Sequence, residues 1–487
     1  MATNKSSANS YRSILKGTSV FGGVQLFQIL INLVRGKFVA LLLGPEGMGL
    51  ASIYTASANT IMRFASLGLN LSFVKEVAGA SGSESRLALV SGVASRLIRT
   101  TALLGALVCA LGAPWLSEIS FGTRDYTWQF VLLAIAVGLM IAGAGKMALL
   151  QGLHRVRIIS ITSLTGALTG LIAGIPLYYF FGDKGIVPAI IVLNLAVYLS
   201  YTFGLRRLLP SARGAVPSRV FRLLTRRMVA NGIVLLAATL INTGCTYVLN
   251  IYVRIYGDIA DVGLFNAANS ITLQYTGVVF SAMALDYFPR LMAAIGRREE
   301  IRPIVGRQME IVALIAAPLS LLIIVTSPLI IRILLTERFA GVTELMRWLG
   351  VSIMLKAVAY PLGYIAFAHN NRRLFFWLEA IVCNVLYIGC SLAGYYLFGL
   401  NGLGYGAVVE QALCIVLYLG VNFHYYRLVP GRRATVTTLA GIATVAIGFA
   451  ATFIPGSEWT VYCISGGITT LAIIFSFTQL RALMRKA

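Results

Sequence analysis

Acidic residues are scarce in this chain. Seventeen Asp and Glu stand against 40 Lys and Arg among 487 residues, with only 3 His. Charged residues make up 12% of the chain, apolar ones 58%, and mean hydropathy is +0.82. So little charge for so much apolar surface excludes a soluble globular protein. The 6 cysteines, Cys109, Cys245, Cys383, Cys390, Cys414 and Cys463, all lie in apolar runs, at spacings that match neither a zinc motif nor a disulfide framework. His154, His369 and His424 are far apart, so no histidine metal site is expected. Long polar connections are missing as well. The longest is LLPSARGAVPSRVFR at 208–222, which leaves no room for an extramembrane domain. Nucleic acid is not expected as a partner despite the net charge of +23, because the basic residues fall in alternate short loops, where they signal topology.

What remains is apolar sequence of membrane length. About fourteen spans follow one another, at 13–43, 50–77, 88–116, 127–152, 156–181, 186–208, 224–254, 263–288, 304–335, 343–368, 374–398, 402–427, 435–454 and 459–480. The first is followed directly by the second and reads as an uncleaved span, not a signal peptide. Arg86, Arg155, Arg157, the arginines of the 208–222 link, Arg372, Arg373, Arg432 and Arg433 share one side with both termini. Glu46, Glu118, Asp125, Asp183, Asp258 and Glu458 occupy the other. The side rich in Lys and Arg is cytoplasmic, so both termini are expected there.

The chain also repeats itself. GPEGMGLASIYTASA at 44–58 resembles GDIADVGLFNAANSI at 257–271, and YYFFGDKG at 178–185 resembles YYLFGLNG at 395–402. Two matches at nearly one offset argue for duplication of a six-span unit. The expected organisation is a lobe at 1–208, a basic cytoplasmic link at 209–223, a second lobe at 224–427, and two additional spans at 428–487. Repeats of equal orientation are related by an axis along the membrane normal, with the transport site at the midplane where they meet.

Charges inside the spans carry the functional signal, because a basic group at mid-membrane costs ~2.5–3.5 kcal/mol unless it is solvated or paired. Arg63 stands about 18–20 Å of helix from either end of its span. Ser52, Thr55, Asn59, Arg63, Ser66 and Asn70 share one helix face, and Gln25, Gln28, Asn32 and Arg35 share another. Lys37 lies off that second face, beside Leu26, Leu30 and Leu33, and is expected to snorkel towards headgroups. Asn250 and Arg254 end a polar stripe on the seventh span, and Ser352, Lys356 and Tyr360 form one on the tenth. Lys146 lies nearer the cytoplasm. A cavity lined by Arg35, Arg63, Lys146, Arg254 and Lys356 suits an anion, and phosphate fits arginine and lysine well. Gln28, Asn32, Asn59, Asn250, Ser352 and Tyr360 would add hydroxyl-binding chemistry. Glu410 is the acid within reach of Lys356, either as its ion-pair partner or as a residue that couples transport to an ion gradient.

GPEGMGL at 44–50, LLTERF at 334–339 and WLGVSIMLKAVAYPLGYIAFAHNNRRLFFWLEA at 348–380 resemble the Wzx-type oligosaccharide flippases. These belong to the multidrug/oligosaccharidyl-lipid/polysaccharide exporter superfamily, and the resemblance covers about residues 10–427, closest to the O-antigen and enterobacterial common antigen branch. It implies an all-α polytopic fold, two six-helix lobes around a central cavity as in multidrug exporters of the superfamily, with the last two spans as a departure. It also implies transfer of an undecaprenyl-diphosphate-linked oligosaccharide from the cytoplasmic to the periplasmic leaflet of a bacterial inner membrane, by alternating access. No cofactor is implied; a proton or sodium gradient would drive the cycle. The chain would act as a monomer among membrane lipids, alongside a polysaccharide polymerase and a chain-length regulator. The family favours Lys37 as functional, whereas the helix faces favour Arg35, and both stand as candidates. Two other classes remain. An organic-cation exporter of the same fold would present acids at its centre. A membrane glycosyltransferase or polymerase would need a carboxylate pocket or a large external loop.

Overall fold

A computed structural model describes residues 2–80, 82–206, 208, 218–294, 298–369, 371–455 and 458–486. Among them there is no strand. The helices are α1 (Ala2–Ala65), α2 (Leu69–Ala80), α3 (Glu84–Leu111), α4 (Ala113–Phe121), α5 (Thr127–Gly152), α6 (Val156–Phe181), α7 (Ile186–Leu205), α8 (Ser218–Tyr256), α9 (Ile259–Ala293), α10 (Arg298–Leu334), α11 (Thr343–Ala368), α12 (Arg372–Phe375), α13 (Cys383–Tyr426), α14 (Arg432–Ala451) and α15 (Glu458–Lys486). Nine stretches among the described residues are long and apolar enough to cross a membrane. Three of these, Phe27–Ala65, Arg157–Leu205 and Arg373–Tyr426, span 39, 49 and 54 residues. Each contains a reversal and is a pair of spans: Gly44 breaks α1, a 3-10 turn at Gly182–Gly185 separates α6 from α7, and Gly399 breaks α13. The fold is therefore all-α and polytopic, with about fourteen spans once α8 and α9 are included.

The chain divides into two compact units, Met1–Arg254 and Ile255–Ala487. The first contains α8, whose side chains and backbone meet α2 and α4. Ser72 Oγ donates to Met228 O at 2.8 Å, Arg227 pairs with Glu76 at 3.1 Å, and Ser120 meets Tyr247 at 2.8 Å. Most of the link expected at 209–223 lies outside the described residues, which resume at Ser218. The core of the first unit joins Leu69, Phe73 and Val77 of α2 to Val93 and Leu97 of α3, Leu149 and Leu150 of α5, Tyr201 of α7 and Met228 of α8. A second cluster seats Tyr54 of α1 edge-on against Phe121 of α4 and Phe130 of α5, with centroids 5.3 and 5.4 Å apart. Such pairs add about 0.5–1.5 kcal/mol each beyond their buried area.

In the second unit, α11 is the buried axis. Its Leu349, Ile353, Met354, Ala357, Val358, Leu362 and Ile365 are all buried, against α9, α10, α13 and α14. Small residues allow the close approach that substitutes for a hydrophobic drive in lipid: Gly404 faces Trp348, and Gly350 faces Ile324. The last two spans, α14 and α15, pack on α10, and Trp348 of α11 meets Phe449 of α14 with centroids 4.5 Å apart.

The repeated motifs fold alike. Gly182 and Gly399, the same position of YYFFGDKG and YYLFGLNG, both take positive φ, 54° and 62°. That conformation is easy only for glycine and turns each hairpin. Three residues on, Gly185 and Gly402 press on a backbone carbonyl eight residues earlier, that of Leu177 and Gly394 respectively, leaving no room for a Cβ.

The expected span 50–77 is not one helix. α1 ends at Ala65, and Leu67 and Gly68 take φ of 49° and 65° before α2 begins. Arg63 thus lies in the last turn of a helix that stops inside the membrane span, where its charge complements the helix C-terminus.

Candidate functional site

In the first unit, α1 carries two stripes from Phe27 onwards. Phe27, Leu30, Val34 and Leu41 are exposed and apolar, and Lys37 falls on their line. Gln28, Asn32 and Arg35 form the other stripe, with Asn32 exposed and the other two half-buried. Beyond the Gly44 turn, Thr55 and Arg63 are exposed and Asn59 is half-buried, on one face. Arg35 and Lys37 are therefore separable by chemistry. With single cysteines in a background lacking the six native ones, position 35 is expected to react with a water-soluble thiol reagent and to be shielded by substrate. Position 37 is expected to react little. Equal labelling that ignores substrate would refute the distinction between the stripes.

Two other cations of this unit are engaged in holding the fold. Lys146 Nζ donates to Thr202 Oγ1 at 2.6 Å and sits 4.2 Å from the centre of the Tyr198 ring, both on α7. Arg254 is not at mid-depth: it lies in the last turn of α8, and its Nη2 donates to Ile119 O at 3.3 Å, capping the end of α4. Asn250, expected to line a cavity, is 1% exposed and faces packed protein. The polar stripe read on α8 is turned inwards over these residues because α8 packs on α4.

In the second unit, α11 is buried on all sides but one. The open stripe carries Ser352, Lys356, Tyr360, Tyr364 and Phe367, and of these Lys356 and Phe367 are exposed. Ion pairs among the described residues include Arg124–Glu118, Arg227–Glu76 and Arg433–Glu310. Lys356 is in none of them, so it forms no direct pair with Glu410, one of the two roles weighed for that acid. Two carboxylates, Glu410 and Glu379, lie in the neighbourhood of Lys356. Glu410 is 6% exposed; Gln411 Nε2 donates to its Oε2 at 2.6 Å and the Cys414 thiol to its Oε1 at 3.4 Å. Glu379 Oε1 accepts from Tyr418 OH at 2.6 Å, and that hydroxyl lies 3.2 Å from Cys383 Sγ. Cys383 and Cys414 sulfurs are 3.7 Å apart, so a run of side chains in contact extends from one acid to the other.

Helical periodicity does not single out Glu379, although FFWLEAIV places a lone acid inside an apolar run. It occupies a π-helical turn, Phe376–Val382, a local widening that recurs at functional sites. Asn384 Nδ2 donates to Glu379 O at 2.9 Å and Ala380 O at 3.1 Å, satisfying carbonyls that the wider turn frees. No group of three or more His, Cys, Asp or Glu among the described residues is arranged to hold a metal ion.

Known proteins share both the sequence and the fold. The chain is 23% identical over 379 residues to the lipid III flippase of Escherichia coli (strain K12), covering 75% of this chain and 88% of the relative, and equally to that of Shigella flexneri. Among solved structures, the lipid II flippase MurJ in an inward closed conformation matches with a TM-score of 0.73 at 11% identity, covering 96% of this chain and 100% of that one. An inward-facing multidrug resistance transporter of the MATE family, in the MOP superfamily, matches with a TM-score of 0.67 at 16% identity, covering 88% and 98%. These similarities place the fold with the MurJ and MATE transporters. The family described as "Polysaccharide biosynthesis protein" matches residues 14–294, more than half of the chain, and the protein belongs to that family.

Proposed function

We propose that the protein is a flippase for an oligosaccharide carried on undecaprenyl diphosphate, delivering it from the cytoplasmic to the periplasmic leaflet for assembly of a cell-surface polysaccharide such as O-antigen or enterobacterial common antigen. The observation that carries this reading is Lys356, an exposed cation at mid-span on the open stripe of an otherwise buried helix. Arg63 is its counterpart in the first unit, exposed beside a helix break. Each is proposed to bind phosphate, Lys356 as a point charge and Arg63 through its planar fork. Asn59 and Ser352 flank them on the same faces. An organic-cation exporter calls for the reverse arrangement. Here the acid Glu410 is buried behind bonded neighbours while the cations are open.

In this reading the protein is a transporter and not an enzyme, works as a monomer in the inner membrane with both termini cytoplasmic, and hands its product to a polymerase and chain-length regulator. Glu410, with Glu379 beside it, is the candidate for coupling to a proton or sodium gradient. One charge moved through 100 mV supplies about 2.3 kcal/mol per cycle. Depletion of the protein is expected to cause an undecaprenyl-diphosphate-linked glycan to accumulate in the cytoplasmic leaflet, identified by mass spectrometry of extracted lipids. Accumulation of a cationic small molecule instead, with no glycan-lipid build-up, would refute the reading.

A further inference from the structure

Below Lys356 on the open stripe of α11, the side chains change from charged to aromatic. Tyr360 follows one turn later, Tyr364 one turn after that, then Phe367, and Phe375 of α12 continues the line. Successive ring centroids are 4.9, 6.5 and 4.8 Å apart. The rings are held from behind. Tyr287 of α9 meets Tyr364 edge-on at 6.4 Å and donates its hydroxyl to Pro361 O at 2.9 Å. Tyr360 and Tyr364 bond to each other through their hydroxyls at 3.2 Å. Both are half-buried and Phe367 is exposed, so part of this aromatic line faces out from the helix. A stripe facing lipid alone would have no reason to begin at Ser352 and Lys356, since a lysine there costs ~2.5–3.5 kcal/mol against hydrocarbon.

Pyranose rings are amphipathic. Their C–H faces are apolar and stack on aromatic rings, while their hydroxyls remain in water. Large rigid aromatics supply such contact at little conformational cost and with little discrimination between sugars. Resting on the flippase reading, we infer that Tyr360, Tyr364, Phe367 and Phe375 form a track for the sugar rings of the substrate, running from Lys356, which holds the phosphate, down α11 to α12. The glycan is held by ring surface and the lipid diphosphate by charge, so the two halves of one substrate are recognised along one line of side chains. The track explains why a stripe leading away from a mid-span lysine is aromatic where its first members are polar.

The test compares two probes that differ only in a sugar, farnesyl diphosphate and farnesyl diphospho-N-acetylglucosamine, bound to the full-length protein in detergent. Tyr360→Ala and Tyr364→Ala are expected to weaken the sugar-bearing probe by about tenfold and to leave farnesyl diphosphate within about twofold. Tyr360→Phe and Tyr364→Phe keep the ring and are expected to bind both probes as the wild type does. Lys356→Ala is expected to weaken both. Equal weakening of both probes by Tyr360→Ala, or no weakening of either, would overturn the track while leaving the phosphate role of Lys356 standing. Failure of the wild type to bind either probe would overturn the flippase reading and the track together.

Discussion

Lys356→Ala is expected to abolish glycan export while the protein remains in the membrane at its normal level. Removing one member of a desolvated charge contact costs roughly 2 kcal/mol or more, a loss of about 30-fold or greater in export. The fold does not depend on the ammonium. Its helix is held by buried apolar neighbours, and Glu410 and Glu379 have their own donors in Gln411, Cys414 and Tyr418. That arrangement separates two roles. If Lys356 merely neutralised Glu410, Lys356→Ala would strand a buried carboxylate, and adding Glu410→Ala would restore export. Because the carboxylates are already hydrogen-bonded and no direct pair is formed, the double variant is expected to stay inactive. Arg63→Ala is expected to match Lys356→Ala, with Arg63→Lys partly active and Arg63→Glu inactive. Export is read as surface glycan per unit of membrane protein. Full recovery in the double variant would show that Lys356 serves Glu410 and not the substrate.

Much of the helix plan is legible in the sequence because the punctuation is strong. The apolar runs 127–152 and 343–368 end where α5 and α11 end. The glycines of GPEGMGL, YYFFGDKG and YYLFGLNG mark reversals that the backbone makes with positive φ at Gly44, Gly182 and Gly399. Short-range chemistry decides these points, so they show in the local pattern. Side-chain destinations within the spans are less legible. Arg254 and Asn250 share a polar face with the threonines before them, yet Arg254 is turned onto the end of α4 and Asn250 is buried, and no pattern within α8 reports a helix more than a hundred residues away. Lys146 reads as a cavity cation until Thr202 and Tyr198 are seen beside it. α4 merges with the span before it, because Gly112 and Pro114 interrupt an apolar run without changing its composition. Glu379 is hidden for a different reason: helical periodicity assumes 3.6 residues per turn, and the π-helical turn at Phe376–Val382 shifts that register. Conversely, the separation of Lys37 from Arg35 needs only the face count. The exposed line of Phe27, Leu30, Val34 and Leu41 runs through position 37.

Gly232→Ala is expected to damage the first unit as severely as any substitution of one methyl group can. The break after Arg63 exists because the backbone of Leu67 and Gly68 lies directly against the backbone of Gly232 on α8. A Cβ at Gly232 would collide with Leu67 O and stand 2.9 Å from the carbonyl carbon of Gly68. Those are main-chain atoms, so no rotamer change relieves the clash, and α2 and α8 must move apart. Such a movement breaks specific interactions. Ser72 would leave Met228 O, and Arg227 would leave Glu76. The ion pair is exposed at Arg227 but largely buried at Glu76, so parting the two leaves a carboxylate with little access to water. Overpacking itself costs about 1–3 kcal/mol, and the displaced turn carries Arg63, whose carbonyl accepts from Ser66 Oγ at 3.0 Å. Gly68→Ala is expected to be worse, because it adds a strained φ of 65° to a direct clash with Gly232 O. Gly79→Ala is the control: it lies on α2, and nothing stands within 4 Å of its would-be Cβ. Thermal unfolding in detergent is expected to shift downwards for Gly232→Ala and Gly68→Ala and to stay unchanged, or rise slightly, for Gly79→Ala. Export should follow the same order. Equal melting of all three variants would mean that the close approach of Gly68 and Gly232 does not set the helix break, and that Arg63 owes its position to something else.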